Sequence, residues 1–183
     1  MSGNHWQTPG RILDRVRHVG EIALDPCTVD SNPCGAQEII TPESDPDGLL
    51  ADWWTRADGG LIYVNPPYGR GHVTEWAAKI VTEAGRGCEI LALVRSDTST
   101  RWARRLIHAS TLINFPPRIR FKGATGSPNF ANAIHYFGPR PQTFRRAFQD
   151  LGPIVTPIPT NQSTKRTTPL CVHSGTHKTE SGE

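Results

Sequence analysis

The stretch Leu61-Ile62-Tyr63-Val64-Asn65-Pro66-Pro67-Tyr68 decides how the fold of this chain is interpreted. Its first four residues form a continuous apolar run that begins after Gly60, which is typical of a strand buried on both faces of a parallel sheet. Residues 72–85 then place their apolar side chains on one face of a predicted helix, which ends near Gly85 and Gly87. The stretch therefore predicts a buried strand, a rigid turn and a crossover helix.

The same alternation of strand and helix patterns extends along the chain on both sides of this stretch. Helices are predicted over residues 10–19 and 141–150 and in a segment that ends at Ala109, and strands over 21–24, 38–40, 90–94, 111–115, 119–121 and 133–137. This alternation indicates an α/β domain with a mainly parallel sheet and right-handed crossovers. The loop over residues 123–129 predicts that the last two strands form a C-terminal antiparallel hairpin.

Composition sets limits on the class of protein. The chain has 183 residues, of which 36% are hydrophobic and 20% are charged, as expected for one globular domain. We expect this domain to span residues 1–155 and a disordered polar tail to span 156–183. No apolar run approaches the roughly 20 residues of a transmembrane helix, and no signal peptide is visible, so we expect a cytoplasmic protein. The net charge of +3 permits nucleic-acid binding without demonstrating it.

The cysteines do not form a metal-binding pattern. They include no Cys-x-x-Cys pair and are spread along the chain at Cys27, Cys34, Cys88 and Cys171. The histidines are scattered as well, so we expect free thiols in a reducing compartment and no metal site.

The residues Asn65-Pro66-Pro67-Tyr68 have a composition that suits one chemical problem. The exocyclic amino group of adenine is a poor nucleophile because its lone pair is delocalised into the ring. Two fixed acceptors for its N–H groups favour a pyramidal nitrogen, and the Asn65 side chain and the Pro66 carbonyl can supply them. The prolines fix φ, and Tyr68 can stack on a base swung out of a duplex. The alternative is an ordinary turn after a strand.

Several segments occur together in an order that resembles the phage-type DNA N-6-adenine methyltransferase family, Dam. They are His5-Trp6-Gln7-Thr8-Pro9, Leu24-Asp25-Pro26-Cys27-Thr28, Asp47-Gly48-Leu49, Val64 to Tyr68, Arg95-Ser96-Asp97-Thr98 with Trp102, Pro117 to Phe121, and Ser127 to Phe130. The resemblance covers about residues 5–138. It implies a compact Rossmann-like sheet, S-adenosylmethionine as methyl donor, and transfer to the N6 amino group of adenine in double-stranded DNA. It also implies a phage or prophage setting, in which restriction–modification is one context.

The resemblance implies where the methyl donor binds. Asp25, with Pro26 beside it, would hold the ammonium group of the methyl donor. Asp47 would accept a hydrogen bond from the adenine amino group of the methyl donor, and Leu49 or Trp53 would pack on that ring. Four further residues would complete the site: Trp6, Thr8, Pro9 and Asn65. Simple turn or cap roles are the alternative for the two aspartates.

The methyl-donor half also departs from the usual pattern of methyltransferases. The Gly-rich motif that normally follows the first strand is absent after Asp25, and only 40 positions separate Asp25 from Asn65. We therefore expect a shortened sheet with an abbreviated methyl-donor half. Asp30 or Glu38 is the expected partner of the ribose hydroxyl groups.

A basic region over residues 95–122 is opposed only by Asp97. From this region and from Arg70 beside the turn, we expect five DNA-binding residues: Arg70, Arg95, Arg118, Arg120 and Lys122. For Arg101, Arg104 and Arg105 a solvated helix face is the alternative. The oligomeric state is not decided by the sequence, and a monomer is the default.

Two other functions stay open at this point. The same turn serves methyltransferases that act on RNA, on the N4 amino group of cytosine or on protein glutamine, although those families normally carry the Gly-rich motif. A catalytically inactive relative that binds DNA is the non-enzymatic alternative.

Overall fold

The structure is a computed structural model that describes residues 7–67, 72–123 and 129–158. These residues form a mixed α/β fold in which helices flank one seven-stranded sheet. In chain order the elements are α1 (Gly10–Val19), β1 (Ile22–Asp25), β2 (Glu38–Ile39), α2 (Trp53–Ala57), β3 (Leu61–Val64), α3 (His72–Gly85), β4 (Glu89–Arg95), α4 (Arg101–Ala109), β5 (Leu112–Asn114), β6 (Asn132–Phe137), α5 (Pro141–Phe148) and β7 (Ile154–Val155). The helices predicted over 10–19 and 72–85 and the strand predicted over 61–64 are confirmed.

The strands lie in the order β2-β1-β3-β4-β6-β5-β7. The first four are mutually parallel, so the predicted parallel sheet is confirmed for its core. β6 runs antiparallel between β4 and β5, and β7 adds an antiparallel edge. The chain passes from β1 to β2 on one side and then returns to β3 on the other side. The order of the sheet therefore reverses between β1 and β3, which end at Asp25 and Val64.

The predicted C-terminal hairpin is wrong. Residues 119–121 do not form a strand of the sheet, and β6 pairs with β4 and β5 instead. Ile119 and Phe121 are buried in a core cluster while Arg120 is exposed, so the alternating pattern is satisfied without a partner strand. The segment is held at its end by Lys122, whose backbone forms two hydrogen bonds with Gln7, of 2.9 and 3.2 Å.

Two apolar layers cover the faces of the sheet. On one face α1 and α5 pack over alternate strand residues such as Leu61, Tyr63 and Leu91. On the other face α2, α3 and α4 cover the intervening residues, such as Ile62 and Val64. β3 is thus buried on both faces, which explains why its sequence is continuously apolar.

The half of the sheet that precedes β3 is short, as its sequence spacing requires. The residues between β1 and β2 contain no helix, although all of them are described. The connection from β2 to β3 contains the five-residue helix α2. The 40 positions between Asp25 and Asn65 therefore hold a loop and one short helix instead of two full crossover helices.

Most of the expected polar tail lies outside the described residues, which end at residue 158. The sequence patterns do not predict β7, which lies at the end of the expected domain. In the described part of the chain, no helix combines the length and apolar character that a membrane span requires.

Candidate active site

A cavity of about 800 Å³ opens at the carboxyl edge of the sheet, where β1, β3 and β4 end. Its volume is within the range of pockets that bind small molecules, roughly 300–1,000 Å³. The cavity lies where the strand order reverses, which is the usual ligand position in open α/β sheets. Among its lining residues are six of the expected methyl-donor residues: Thr8, Asp25, Pro26, Asp47, Leu49 and Asn65.

The remaining expected site residues do not all fall within the described part of the chain. Trp6, Tyr68 and Arg70 are outside the described residues. Pro9 is the residue before α1, and its carbonyl accepts hydrogen bonds from Ile12 and Leu13 at 2.9 and 3.2 Å, so its observed role is to begin the helix. The described lining of the cavity does not include Asp30 or Glu38.

Asp25 is the buried carboxylate of the cavity, and only 4% of its surface is exposed. One carboxylate oxygen accepts a hydrogen bond from the Cys27 backbone N–H at 3.2 Å, and the other accepts one from the Cys34 thiol at 3.1 Å. Burial raises the pKa of Asp25, and the hydrogen bonds from Cys34, Cys27 and Thr28 partly offset that rise. Asp25 is the last residue of β1, so its side chain lies where the chain leaves the sheet and begins to line the cavity.

The loop Asp47-Gly48-Leu49 forms a second wall. Asp47 Oδ1 accepts hydrogen bonds from the Leu49 and Leu50 backbone N–H groups at 2.9 and 3.1 Å. Asp47 is thus a turn-forming residue and a cavity-lining residue at the same time. The Gly48 carbonyl accepts a hydrogen bond from Trp53 Nε1 at 2.7 Å, so α2 holds the loop in place.

Thr8 attaches the N-terminal segment to the sheet. Its hydroxyl group lies 2.7 Å from the hydroxyl group of Tyr63 on β3, and both residues are buried. Gln7, the preceding residue, lines the cavity and pairs with Lys122. Thr8, which is expected to help complete the methyl-donor site, is thus held against β3 by a hydrogen bond that no sequence pattern predicts.

The turn after β3 faces the same cavity. Asn65 is half-buried and Pro66 is buried, and both line the cavity together with Pro67. A hydrogen bond between the Asn65 backbone and the half-buried Cys27 thiol links this turn to the segment after β1. Burial, followed by the negative charge of Asp25, raises the pKa of Cys27 well above its usual value, so this thiol is protonated.

Arg95 and Phe130 line the cavity at the end of β4. The Arg95 guanidinium lies over the Phe130 ring, 5.3 Å from its centroid. Of the buried polar atoms in the described chain, Arg95 Nε is one without a hydrogen-bond partner, so it can donate to a ligand. The sequence predicts a DNA-binding role for Arg95, but no periodic pattern could place Phe130 in the cavity, because it lies in an irregular loop.

Three predicted DNA-binding residues lie outside the cavity lining. Arg118, Arg120 and Lys122 are exposed on the segment that leads to the contact with Gln7. Since Gln7 lines the cavity, this basic segment ends beside it. In the described part of the chain, no group of three His, Cys, Asp or Glu residues is placed to hold a metal ion.

This geometry agrees with the outcome of comparison with known families. Residues 1–134 match the family model described as DNA N-6-adenine-methyltransferase (Dam). The chain belongs to the Dam family. The match includes the segments that carry Asp25, Asp47, Asn65 and Arg95, which the fold brings together in one cavity. Membership in the Dam family implies a methyltransferase, and no curated protein matches the chain.

Proposed function

We propose that this chain transfers a methyl group from S-adenosylmethionine to the N6 amino group of adenine in double-stranded DNA. The observation that carries the proposal is the cavity shared by Asp25 and the Asn65-Pro66-Pro67 turn, at the point where the strand order of the sheet reverses. Family membership supports DNA as the substrate. The catalytic domain under this proposal spans residues 1–155.

Asp25 and Asp47 are the proposed contacts of the methyl donor. Asp25 is a buried carboxylate that faces the cavity, so it suits the ammonium group of the methionine part. Asp47 uses Oδ1 in its own turn, and Oδ2 is the oxygen we assign to the adenine amino group of the methyl donor. Leu49 and Pro26 add apolar surface around the ring.

Asn65 and Pro66 are the proposed contacts of the target base. The Asn65 side-chain oxygen and the Pro66 carbonyl accept hydrogen bonds from the amino group, and the prolines keep both acceptors in place. When bound, S-adenosylmethionine would supply an electrophilic methyl carbon to the amino nitrogen held by Asn65 and Pro66, with S-adenosylhomocysteine as leaving group and release of the amino proton to solvent. Tyr68 is proposed to stack on the base, and Phe130 with Arg95 provides an opposite wall.

The DNA backbone is proposed to lie along the exposed basic residues beside the cavity. Arg118, Arg120 and Lys122 would contact phosphates on one side. Arg70 is proposed to contact a phosphate beside the flipped base. These contacts position the duplex, while the cavity selects the base.

The test is transfer of a labelled methyl group to DNA, with Asn65→Ala as the informative variant. We expect labelled N6-methyladenine with the native chain and a rate at least about 100-fold lower with Asn65→Ala, because one of two fixed acceptors is removed. Gln142→Ala is the matched control, since it removes an exposed amide from α5. Its rate should equal that of the native chain.

Other outcomes would contradict specific parts of the proposal. Label on RNA or protein but not on DNA would refute the substrate, and label on cytosine N4 would refute the base. Native activity of Asn65→Ala would remove that side chain from the mechanism. No transfer by the native chain to any of these acceptors would favour an inactive DNA-binding relative.

A further inference from the structure

Asp25 has an unusual environment for a buried carboxylate. The ion pairs formed within residues 7–67, 72–123 and 129–158 do not include Asp25. Its hydrogen-bond donors are the Cys34 and Cys27 thiols, the Thr28 side chain and one backbone N–H group. A buried negative charge at the wall of a cavity, with no basic partner among the described residues, is suited to a cationic ligand.

The Cys34 thiol reaches Asp25 from a turn that is closely hydrogen-bonded within itself. The Asn32 side chain accepts a hydrogen bond from the Ala36 backbone N–H at 2.9 Å and donates one to the Ala36 carbonyl at 2.8 Å. Asn32 and Gly35 both have positive φ, of 44° and 67°, so the turn has a specific shape. These contacts direct the intervening residue, Cys34, toward the sheet.

The turn is also attached to the first helix. Arg17 on α1 donates a hydrogen bond to the Cys34 carbonyl at 2.8 Å. The Cys34 side chain is 2% exposed and its thiol lies 3.1 Å from Asp25 Oδ2. Cys34 thus joins α1 to the carboxylate at the end of β1, in the part of the chain where a Gly-rich turn is missing.

We propose that Cys34 is a positioning residue for the methyl donor, because its thiol fixes the Asp25 carboxylate in the orientation that binds the ammonium group. This inference rests on the proposed function and adds to it a role for Cys34. The Cys34 thiol keeps its proton at neutral pH, since burial and then the charge of Asp25 raise its pKa to about 12. It is therefore a permanent hydrogen-bond donor and not a nucleophile.

The role of Cys34 has a consequence for the pH dependence of methyl-donor binding. Binding of an ammonium group needs Asp25 ionised, so affinity falls as pH drops through the pKa of Asp25 in the folded protein. Removal of a hydrogen bond to the charged form moves that pKa upward. The titratable and charged groups around the cavity are the two thiols, Asp47, His72 on α3 and Arg95 on β4, while α1 presents Leu13 to the cavity and Arg17 to the Cys34 carbonyl.

The experiment measures S-adenosylmethionine binding by calorimetry over a pH series that rises from the ordinary pKa of an aspartate, about 3.9, until the affinity no longer changes. Cys34→Ala should bind roughly tenfold more weakly at neutral pH, with its midpoint at higher pH, because a hydrogen bond to a charged group is removed. Cys34→Ser keeps a donor and should retain the native midpoint. Cys34→Val fills the volume of the thiol but supplies no donor, so it should also bind more weakly and with a midpoint at higher pH. It keeps the test possible if the alanine variant does not fold.

Cys88→Ala is the matched control. This buried thiol also faces a carboxylate, with its sulfur 3.8 Å from Glu83, but it is remote from the cavity lining. The Cys88→Ala variant should bind S-adenosylmethionine with native affinity, and the pH midpoint of its binding should equal that of the native chain. Native affinity and midpoint in the valine and alanine variants, or a serine variant as impaired as these two, would overturn the role of Cys34. No binding by the native chain at any pH would instead refute the proposed function.

Discussion

Burial of the ionised Asp25 side chain destabilises the folded protein. Its pKa is raised mainly by desolvation, so the folded state binds the Asp25 proton more tightly than the unfolded state does. Such a group lowers the free energy of unfolding as pH rises from the unfolded pKa, about 3.9, through the folded pKa. Above the folded pKa this destabilisation stays constant, and there the ionised form is the one that can bind a cation.

Asp25→Asn should therefore separate stability from binding. We expect the variant to be more stable than the native chain at neutral pH by about 1 kcal/mol, because it removes a buried charge. The difference in free energy of unfolding between the variant and the native chain should grow as pH rises from the pKa of Asp25 in the unfolded chain to its pKa in the folded protein. Above the folded pKa the difference should be constant. Denaturant unfolding as a function of pH measures it, and calorimetry should show at least about tenfold weaker binding of S-adenosylmethionine.

Asp58→Asn is the control for this comparison, because Asp58 is exposed at the end of α2 and is not among the residues that line the cavity. Its stability and binding should be those of the native chain. A less stable Asp25→Asn protein that still binds the methyl donor normally would show that the carboxylate serves the fold and not the ligand.

At the scale of elements, the cavity depends on a close approach between two loops. A Cβ atom at Gly48 would overlap the Pro26 carbonyl oxygen and would lie 2.6 Å from Cη2 of Trp76. Trp76 on α3 in turn stacks on Trp53 of α2, with ring centroids 6.0 Å apart. The glycine therefore lets the Asp47 loop sit directly against the segment after β1, above a pair of tryptophans.

Gly48→Ala should displace the Asp47 loop. We expect a decrease of about 2 kcal/mol in the free energy of unfolding, because the overlap involves backbone and a packed ring. Binding of S-adenosylmethionine should weaken by at least about tenfold, because Asp47 and Leu49 move with the loop. Thermal or denaturant unfolding and calorimetry measure the two effects.

Gly10→Ala provides the contrast for this prediction. Gly10 begins α1, and a Cβ atom there would have nothing within 4 Å. That variant should be as stable as the native chain or slightly more stable, by up to about 0.5 kcal/mol. Equal effects of the two substitutions would contradict the close packing at Gly48.

The strands and helices can be predicted where periodicity alone determines them. β3 and α3 follow from an apolar run and a helical stripe. The prediction of a strand over 119–121 is wrong because its alternation indicates one buried face but not the identity of a neighbour. Its buried side chains complete the α1 and α5 layer instead of a strand pair. Pairing partners depend on tertiary contacts that no local pattern contains.

At the scale of the whole molecule, the sequence predicts only those parts of the candidate site that follow from the order of strands and helices. Asp25 ends one buried strand and Asn65 follows another, so the sheet brings them together once the strands are placed. Cys34 and Phe130 reach the same cavity from irregular loops, and their contacts depend on loop conformation. The sequence contains the residues of the Asn32 turn but offers no repeat or spacing from which its shape could be inferred.

The charge distribution of the molecule leads to a prediction about DNA affinity. Joint replacement of Arg118, Arg120 and Lys122 by Gln should reduce the slope of log affinity against log salt by roughly 0.9 for each phosphate that is no longer neutralised. The same triple replacement at Arg101, Arg104 and Arg105, which α4 also exposes, should leave the slope near its native value. Salt titrations of duplex binding measure both.

If the α4 triple variant had the smaller salt slope and the Arg118, Arg120 and Lys122 variant the native slope, the DNA phosphates would bind along α4 instead. Equal slopes in the native chain and in both triple variants would exclude each surface as a site of backbone binding.

The position of β6 also affects how the polypeptide matures during synthesis. β4 is buried at six of its seven residues, yet its neighbour β6 is synthesised only after α4, β5 and a long loop. A nascent chain that ends before Asn132 therefore leaves one edge of β4 and both edges of β5 open, with unpaired backbone N–H and C=O groups. Until β6 has emerged from the ribosome, these open edges can pair with strands of other chains. Protection by chaperones therefore matters most in that interval.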